Sequence, residues 1–180
     1  AFSCFRSSVF PYSKASIMST AVIPSVAQLR SELGDFSSII CFKALVVGTE
    51  EVLGEKAAAI ALIGAGRQRG RQVAEQLGLV GQGRSLDSVA EVLQAALGKD
   101  GTRLCIVEKI VETEDKIAVY CRETICSAGE PQGSPRKLTF TLGAVQGVVE
   151  SVTGKRLRGQ QTESVLRGSD FDVIEFEVIG

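Results

Sequence analysis

The period of the hydrophobic pattern changes along this chain, and that change limits the folds open to it. Over residues 50–79, Leu53, Ala57, Ile60, Ile63, Gly70, Ala74 and Leu77 fall mostly three and four apart, the spacing of one helix face. A break near Gly64 and Gly66 is allowed for, since each glycine weakens a helix by about 1 kcal/mol relative to alanine. A second helix over residues 88–97 carries Val89, Val92, Leu93 and Ala96; Ser85-Leu86-Asp87-Ser88 caps its start and Gly98 its end. After residue 100 the period moves to two. Residues 103–112 and 116–127 read as a hairpin about Thr113-Glu114-Asp115. Helical spacing returns over residues 138–153 and stops at Gly154. Residues 156–166 and 170–178 then form a second hairpin about Arg167-Gly168-Ser169. Helices, hairpin, helix, hairpin is the order of an α+β fold with an antiparallel sheet. Two segments are less decided. Residues 26–33 fit a short helix, and residues 39–47 (IICFKALVV) fit either a strand or a buried helix.

The length, 180 residues, suits one domain with its own core, here taken as residues 26–180. Residues 1–25 are set aside as a disordered leader or upstream extension. Residues 1–17 are Ser-rich, carry Arg6 and Lys14 and no acid, and precede the single methionine, Met18. That composition fits a transit-peptide remnant, while Met18-Ser19-Thr20 fits a start site with an extension before it. No stretch reaches the ~20 apolar residues of a membrane span, and a cytoplasmic location is expected. Five cysteines without a CxxC pair read as small buried thiols in a reducing compartment.

The chain contains no histidine, which removes Ser-His-Asp and Cys-His catalysis and imidazole metal ligands. Twenty Lys and Arg against 21 Asp and Glu leave no cationic excess for nucleic acid. No GxSxG, P-loop or metal-ligand cluster is present, so no enzyme activity, metal or cofactor is expected. Lys43, on an apolar stretch, fits a snorkelling side chain or a reactive amine. Gly64-x-Gly66-x3-Gly70 looks at first like a dinucleotide fingerprint, but its spacing is GxGxxxG and no second parallel strand follows. These glycines permit close approach by a neighbouring helix or a ligand. Among them Arg67-Gln68-Arg69-Gly70-Arg71 concentrates three positive charges. Arg67 and Arg71 share a helix face, with Arg69 pointing elsewhere. Arg67 falls on the apolar stripe, so its guanidinium must snorkel to water, meet an acid (Glu55, Glu75 or one across a dimer) or bind an anion. Arg156, Arg158 and Arg167 fit a solvated strand face or a further part of such a site.

One family shares the larger pattern. Leu53-Gly54 opens an Ala-rich helix with Gly66-x3-Gly70, and a hairpin follows. Then come Gly143-x3-Gly147-x6-Gly154, the Glu163…Arg167-Gly168 turn and a last strand over residues 173–178. This resembles the 4-vinyl-reductase, or hydrocarbon-binding, domain, in a small single-domain form like cyanobacterial or plastid members. The resemblance implies the architecture shared with a vesicle-tethering subunit and nitric-oxide-sensing haem domains. It also implies a homodimer packed through helices and an apolar pocket. Family members often carry cysteines four residues before and after the turn glycine; here those positions hold Ser164 and Asp172, so zinc is not expected, and haem would lack its histidine.

The expected function is therefore a non-enzymatic small-molecule-binding homodimer. Its ligand would be an acyl chain or tetrapyrrole precursor, in pigment or photosystem assembly, with a protein partner possible in assembly or regulation. The ligand-binding candidates are Ile63, Gly66, Arg67, Gly70 and Arg71. The alternative is a cyclic di-GMP receptor regulating a protein partner, prompted by the RxxxR spacing of Arg67 and Arg71. The companion D/N-x-S-x-x-G motif is only half present, at Ser151 and Gly154.

Overall fold

The computed structural model describes Glu32, residues 38–81 and residues 85–179. The expected helix over residues 26–33 lies, but for Glu32, outside the described residues, as do residues 1–25.

The run that periodicity left open is a helix. Ser38 caps α1 (Ile39–Leu53), its hydroxyl accepting from the Ile40 amide at 3.2 Å. The helix that follows, α2 (Glu55–Gln76), is continuous through Gly64 and Gly66. The break comes earlier, at Gly54, which sits at φ 77° and ψ 156°, a conformation that only glycine adopts readily. Gly64 faces open space and Gly66 packs on another helix, so neither is asked to leave helical geometry.

Ser85 caps α3 (Leu86–Leu97) through the Ser88 amide. The strand expected from residue 103 begins later, at Ile106. Residues 98–105 are used instead to wrap the C-terminus of α3: Thr102 N–H donates to Ala96 O (2.8 Å) and Leu104 N–H to Leu97 O (2.7 Å). Gly101 makes this possible, because a Cβ there would lie 1.9 Å from Ala96 O. The wrap leaves Arg103 with a left-handed φ of 54°.

Two hairpins build one antiparallel sheet. β1 (Ile106–Glu112) pairs with β2 (Lys116–Arg122), and β3 (Leu157–Glu163) with β4 (Asp172–Val178). The hairpins join through β2 and β4, giving the order β1-β2-β4-β3. Ile117 sits opposite Phe176 and Val119 opposite Ile174, all four buried. The fold is thus α+β, with four helices and a four-stranded antiparallel sheet, as the period changes imply.

Between the hairpins runs α4 (Phe140–Thr153), buried continuously from Thr141 to Glu150. Its contact with α2 is backbone on backbone. A Cβ at Gly66 would lie 2.2 Å from Phe140 O, and one at Gly70 would lie 2.0 Å from Ala144 O. Reciprocally, a Cβ at Gly143 would lie 2.1 Å from Ile63 O and one at Gly147 would lie 2.1 Å from Arg67 O. The glycine pairs of the two helices therefore interlock, at a separation no side chain permits.

Candidate functional site

The segment from Ile63 to Arg71 is divided among three environments. Arg67 reaches from α2 to the one charged residue of α4, Glu150, whose carboxylate accepts from Nε and Nη2 at 2.6 Å each. This two-point geometry is the strongest that a guanidinium forms with a carboxylate. Arg71 adds a longer contact at 3.4 Å. The Gln146 side chain and the Leu157 amide complete the carboxylate's shell at 3.2 and 3.0 Å. Burial pushes the Glu150 carboxyl up, but Arg67, the Leu157 amide and Gln146 outweigh it and hold the group below the usual carboxylate range. The acid that meets Arg67 is thus neither Glu55 nor Glu75. Arg67, Arg71 and Glu150 border a cleft of about 300 Å³ with Lys155 and Arg156.

Gly66 and Gly70, two of the five residues expected to hold ligand, are in contact with the α4 backbone. Ile63 reaches a cavity of about 760 Å³ between α1, α2 and the segment before α4, where Val47, Leu138 and Leu142 supply apolar wall. Glu50, Glu51, Glu55, Arg136 and Lys137 also line it. Its charges are largely matched: Arg136 pairs with Glu50 and with Glu130 (2.8 Å), and Lys137 lies 3.8 Å from Glu55.

The third environment belongs to Arg69. It lines a cavity of about 870 Å³ whose walls are Ile39 and Phe42 of α1, Leu97 and Leu104 from either side of the α3 wrap, Ile125, and Phe140 at the start of α4. Phe42 and Phe140 meet edge to face, ring centres 5.0 Å apart. Ser38, Thr102 and Arg103 are its polar margin. No carboxylate is among the described residues lining it. Arg69 donates to Gln76 Oε1 at 3.5 Å and forms no ion pair among the described residues, while Arg103 Nε donates to Lys99 O at 3.0 Å. A cavity of this size, mostly apolar with a few polar groups, has the properties of a small-molecule site. Sequence reasoning missed Arg69 because it lies off the stripe shared by Arg67 and Arg71. Phe42 and Phe140, each near a helix start, are joined only by the tertiary fold.

The remaining candidates have structural partners. Lys43 donates to Cys126 O (3.1 Å) and Ala128 O (2.6 Å) and pairs with Glu130 at 2.8 Å, pinning the loop after β2 to α1. Its Nζ is thereby held by three oxygens. Glu130 in turn is held below the usual carboxylate range, chiefly by Lys43. Arg158 pairs with Glu177 at 2.8 Å. Arg167 reaches the Arg136 carbonyl at 3.4 Å.

Cys105, Cys121 and Cys126 are buried free thiols, while Cys41 is exposed. A hydrogen bond with Cys121, together with burial, pushes the Cys105 thiol well up, so it stays protonated. No metal-binding cluster exists among the described residues. At the positions where the resembled family often has cysteine, Ser164 caps the turn after β3 and Asp172 is a hydrogen-bond hub. The buried Asp172 carboxylate accepts from Thr124 (2.7 Å), Ser127 (2.8 Å), Gln161 (3.1 Å) and the Val165 amide (3.2 Å).

No protein-family model matches the chain, and no curated protein matches it either. Solved structures do. The phenol-responsive sensory domain of the transcription activator PoxR, with phenol, superposes with a TM-score of 0.63 at 14% identity, covering 80% of this chain and 76% of that one. A trafficking protein particle complex subunit 3 from Naegleria fowleri, covalently bound to palmitic acid, gives 0.50 at 16% identity, covering 79% and 98%. A vinyl-4-reductase family protein from Methanocaldococcus jannaschii gives 0.44 at 16% identity, covering 81% and 84%. At these identities the likeness is one of fold, and the fold of this chain is that of the PoxR sensory domain and the trafficking subunit.

Proposed function

We propose that this protein is a non-enzymatic binding domain for an apolar or amphipathic small molecule, held in the cavity between α1, α4 and the α3 wrap. The observation that carries this reading is the 870 Å³ cavity, walled by four aliphatic side chains and the Phe42–Phe140 pair. Two neighbours of the same fold support it, since one is described with phenol and the other with palmitic acid. The absence of histidine, and the engagement of Lys43 and Glu150 in ion pairs, support a binder over a catalyst. The test is native mass spectrometry of protein purified from its own cells, with displacement of N-phenylnaphthylamine, a neutral apolar fluorophore. A copurifying apolar molecule and saturable probe uptake, weakened by Phe42→Ala, are expected. No uptake by the full chain would overturn the reading.

The proposal extends to a homodimer. Ile40, Leu45, Val52 and Ile60 are exposed apolar residues on α1 and α2, and a second copy would cover them. Ile60→Glu should shift the protein toward monomer in sedimentation; an unchanged mass would remove this part. Pigment or photosystem assembly is the setting we propose from the family resemblance, and a bound tetrapyrrole precursor in the mass spectrum would support it. No helix among the described residues is long and apolar enough to cross a membrane. The cyclic di-GMP alternative draws on the small basic cleft, but would require Arg67 to leave its two-point pair with Glu150.

A further inference from the structure

We infer that the ligand of the large cavity is an organic anion, a carboxylate with an apolar body, whose head is held by the Arg69 guanidinium with Arg103 as the second cation of the wall. This rests on the small-molecule reading above and names the ligand class. Arg69 differs from its neighbours in the cluster. Arg67 and Arg71 share Glu150, whereas the one side-chain partner of Arg69 among the described residues is a neutral amide at 3.5 Å. It is half-buried, so water solvates it only in part. A half-desolvated guanidinium beside aliphatic and aromatic walls is stabilised by a carboxylate more than by a neutral molecule.

The rest of the wall agrees. Among the described residues its two charged side chains are both arginines, and its hydroxyls, on Ser38 and Thr102, can each donate to a carboxylate oxygen. Arg103 is placed there by backbone that side-chain-bearing residues rarely adopt, at φ 54°, because the wrap of residues 98–105 closes on the α3 carbonyls. In the other large cavity the cations Arg136 and Lys137 are already paired with Glu50, Glu130 and Glu55, so it is a poorer host for an anionic head. Size and lining suit a single acyl chain or a small aryl acid. The head would sit at the arginines and the body against Phe42, Phe140 and Leu104.

The experiment compares decanoate with decanol, matched in chain and differing in the head, as competitors for N-phenylnaphthylamine on the full chain at neutral pH. Decanoate should bind about tenfold tighter. Arg69→Gln should remove most of that preference and Arg103→Gln a smaller part, with decanol affinity unchanged; Arg69→Lys should keep part of it. Equal binding of the two competitors overturns the anion inference and leaves the small-molecule reading standing. Fluorophore uptake with neither competitor displacing it also overturns the inference. No fluorophore uptake at all overturns the small-molecule reading itself. If Arg69→Gln lowers decanol affinity as much as decanoate affinity, Arg69 is a wall-shaping residue and the head assignment fails. Benzoate against phenol, run in the same way, distinguishes an aryl from an acyl body.

Discussion

Toward α4, helix α2 presents Gly66, Arg67 and Gly70; toward the large cavity it presents Arg69. On the first side every group is used within the protein. The glycines admit the α4 backbone, and Arg67 closes on Glu150 with two 2.6 Å contacts. On the second side a guanidinium two residues away lacks an acid among the described residues and faces aliphatic and aromatic wall. The two arginines have the same chemistry and nearly the same sequence surroundings. What separates them is 200° of helix rotation, from about 100° per residue. Charge density in the sequence therefore marked the segment as a whole, while the geometry of the helix decides which guanidinium is paired within the protein and which faces the cavity.

The largest effect should come from forcing the two helices of the closed side apart. Gly70→Val places a branched side chain where even a Cβ would lie 2.0 Å from Ala144 O, and should cost at least about 3 kcal/mol, beyond ordinary overpacking. Denaturant unfolding measures it. A loss below about 1 kcal/mol would mean that the helices separate easily.

Next is the ion pair. Glu150→Ala leaves Arg67, which is 31% exposed, without its acid and should cost about 2 kcal/mol, less than a fully buried pair because solvent reaches the guanidinium. Acid tests the same contact without mutation. The folded-state pKa of Glu150 is depressed, so its contribution to stability is complete above the ordinary carboxylate pKa. That contribution is lost as pH falls through the depressed value. The stability difference between wild type and Glu150→Gln should accordingly shrink below about pH 4. A difference that stays constant with pH would remove Glu150 as a charged partner.

On the open side the effects on stability should be smaller and those on binding larger. Leu104→Ala, in the cavity wall and 7% exposed, should cost about 2 kcal/mol and weaken an apolar ligand severalfold. Arg69→Gln should change stability by no more than about 0.5 kcal/mol, read as an unshifted Tm. A large loss on Arg69→Gln would place that residue with Arg67 as a structural element and dissolve the contrast between the two sides.

Much of the fold was legible because its signals are local. The change of period after residue 100, the caps at Ser85 and Gly98, and the turn glycine at 168 each act over a few residues. The glycines were legible as close-approach positions, although not which neighbour approaches. Residues 39–47 could not be assigned, since helix and strand look alike in a short apolar run, and Ser38 was not read as their cap. Periodicity allowed for a break near Gly64 and Gly66 and ran through Gly54, where the family pattern opens the helix and the structure breaks it, because glycine content alone does not tell which glycine must leave helical geometry.

The site was less legible. Glu150 carried a usable signal, being the one charge in the 14 residues of α4, yet nearer acids in sequence drew the pairing. Arg69, Phe42, Leu104, Ile125 and Phe140 come from segments spread over about a hundred residues, and nothing in their spacing joins them. The wrap that positions Arg103 was hidden inside what looked like the start of a strand.

The interlocked glycines also govern what the cavity can accept. Arg69 and Phe140 lie on two helices whose backbones already touch, with no side chain between them to repack. That side of the chamber works as a fixed jaw. The wrap of residues 98–105 is held main chain to main chain as well, at Gly101 and through its bonds to the α3 carbonyls, so accommodation of a longer or wider guest must come from α1. Guests would then be sorted by how far α1 yields, and a bulky one would be felt first at Phe42.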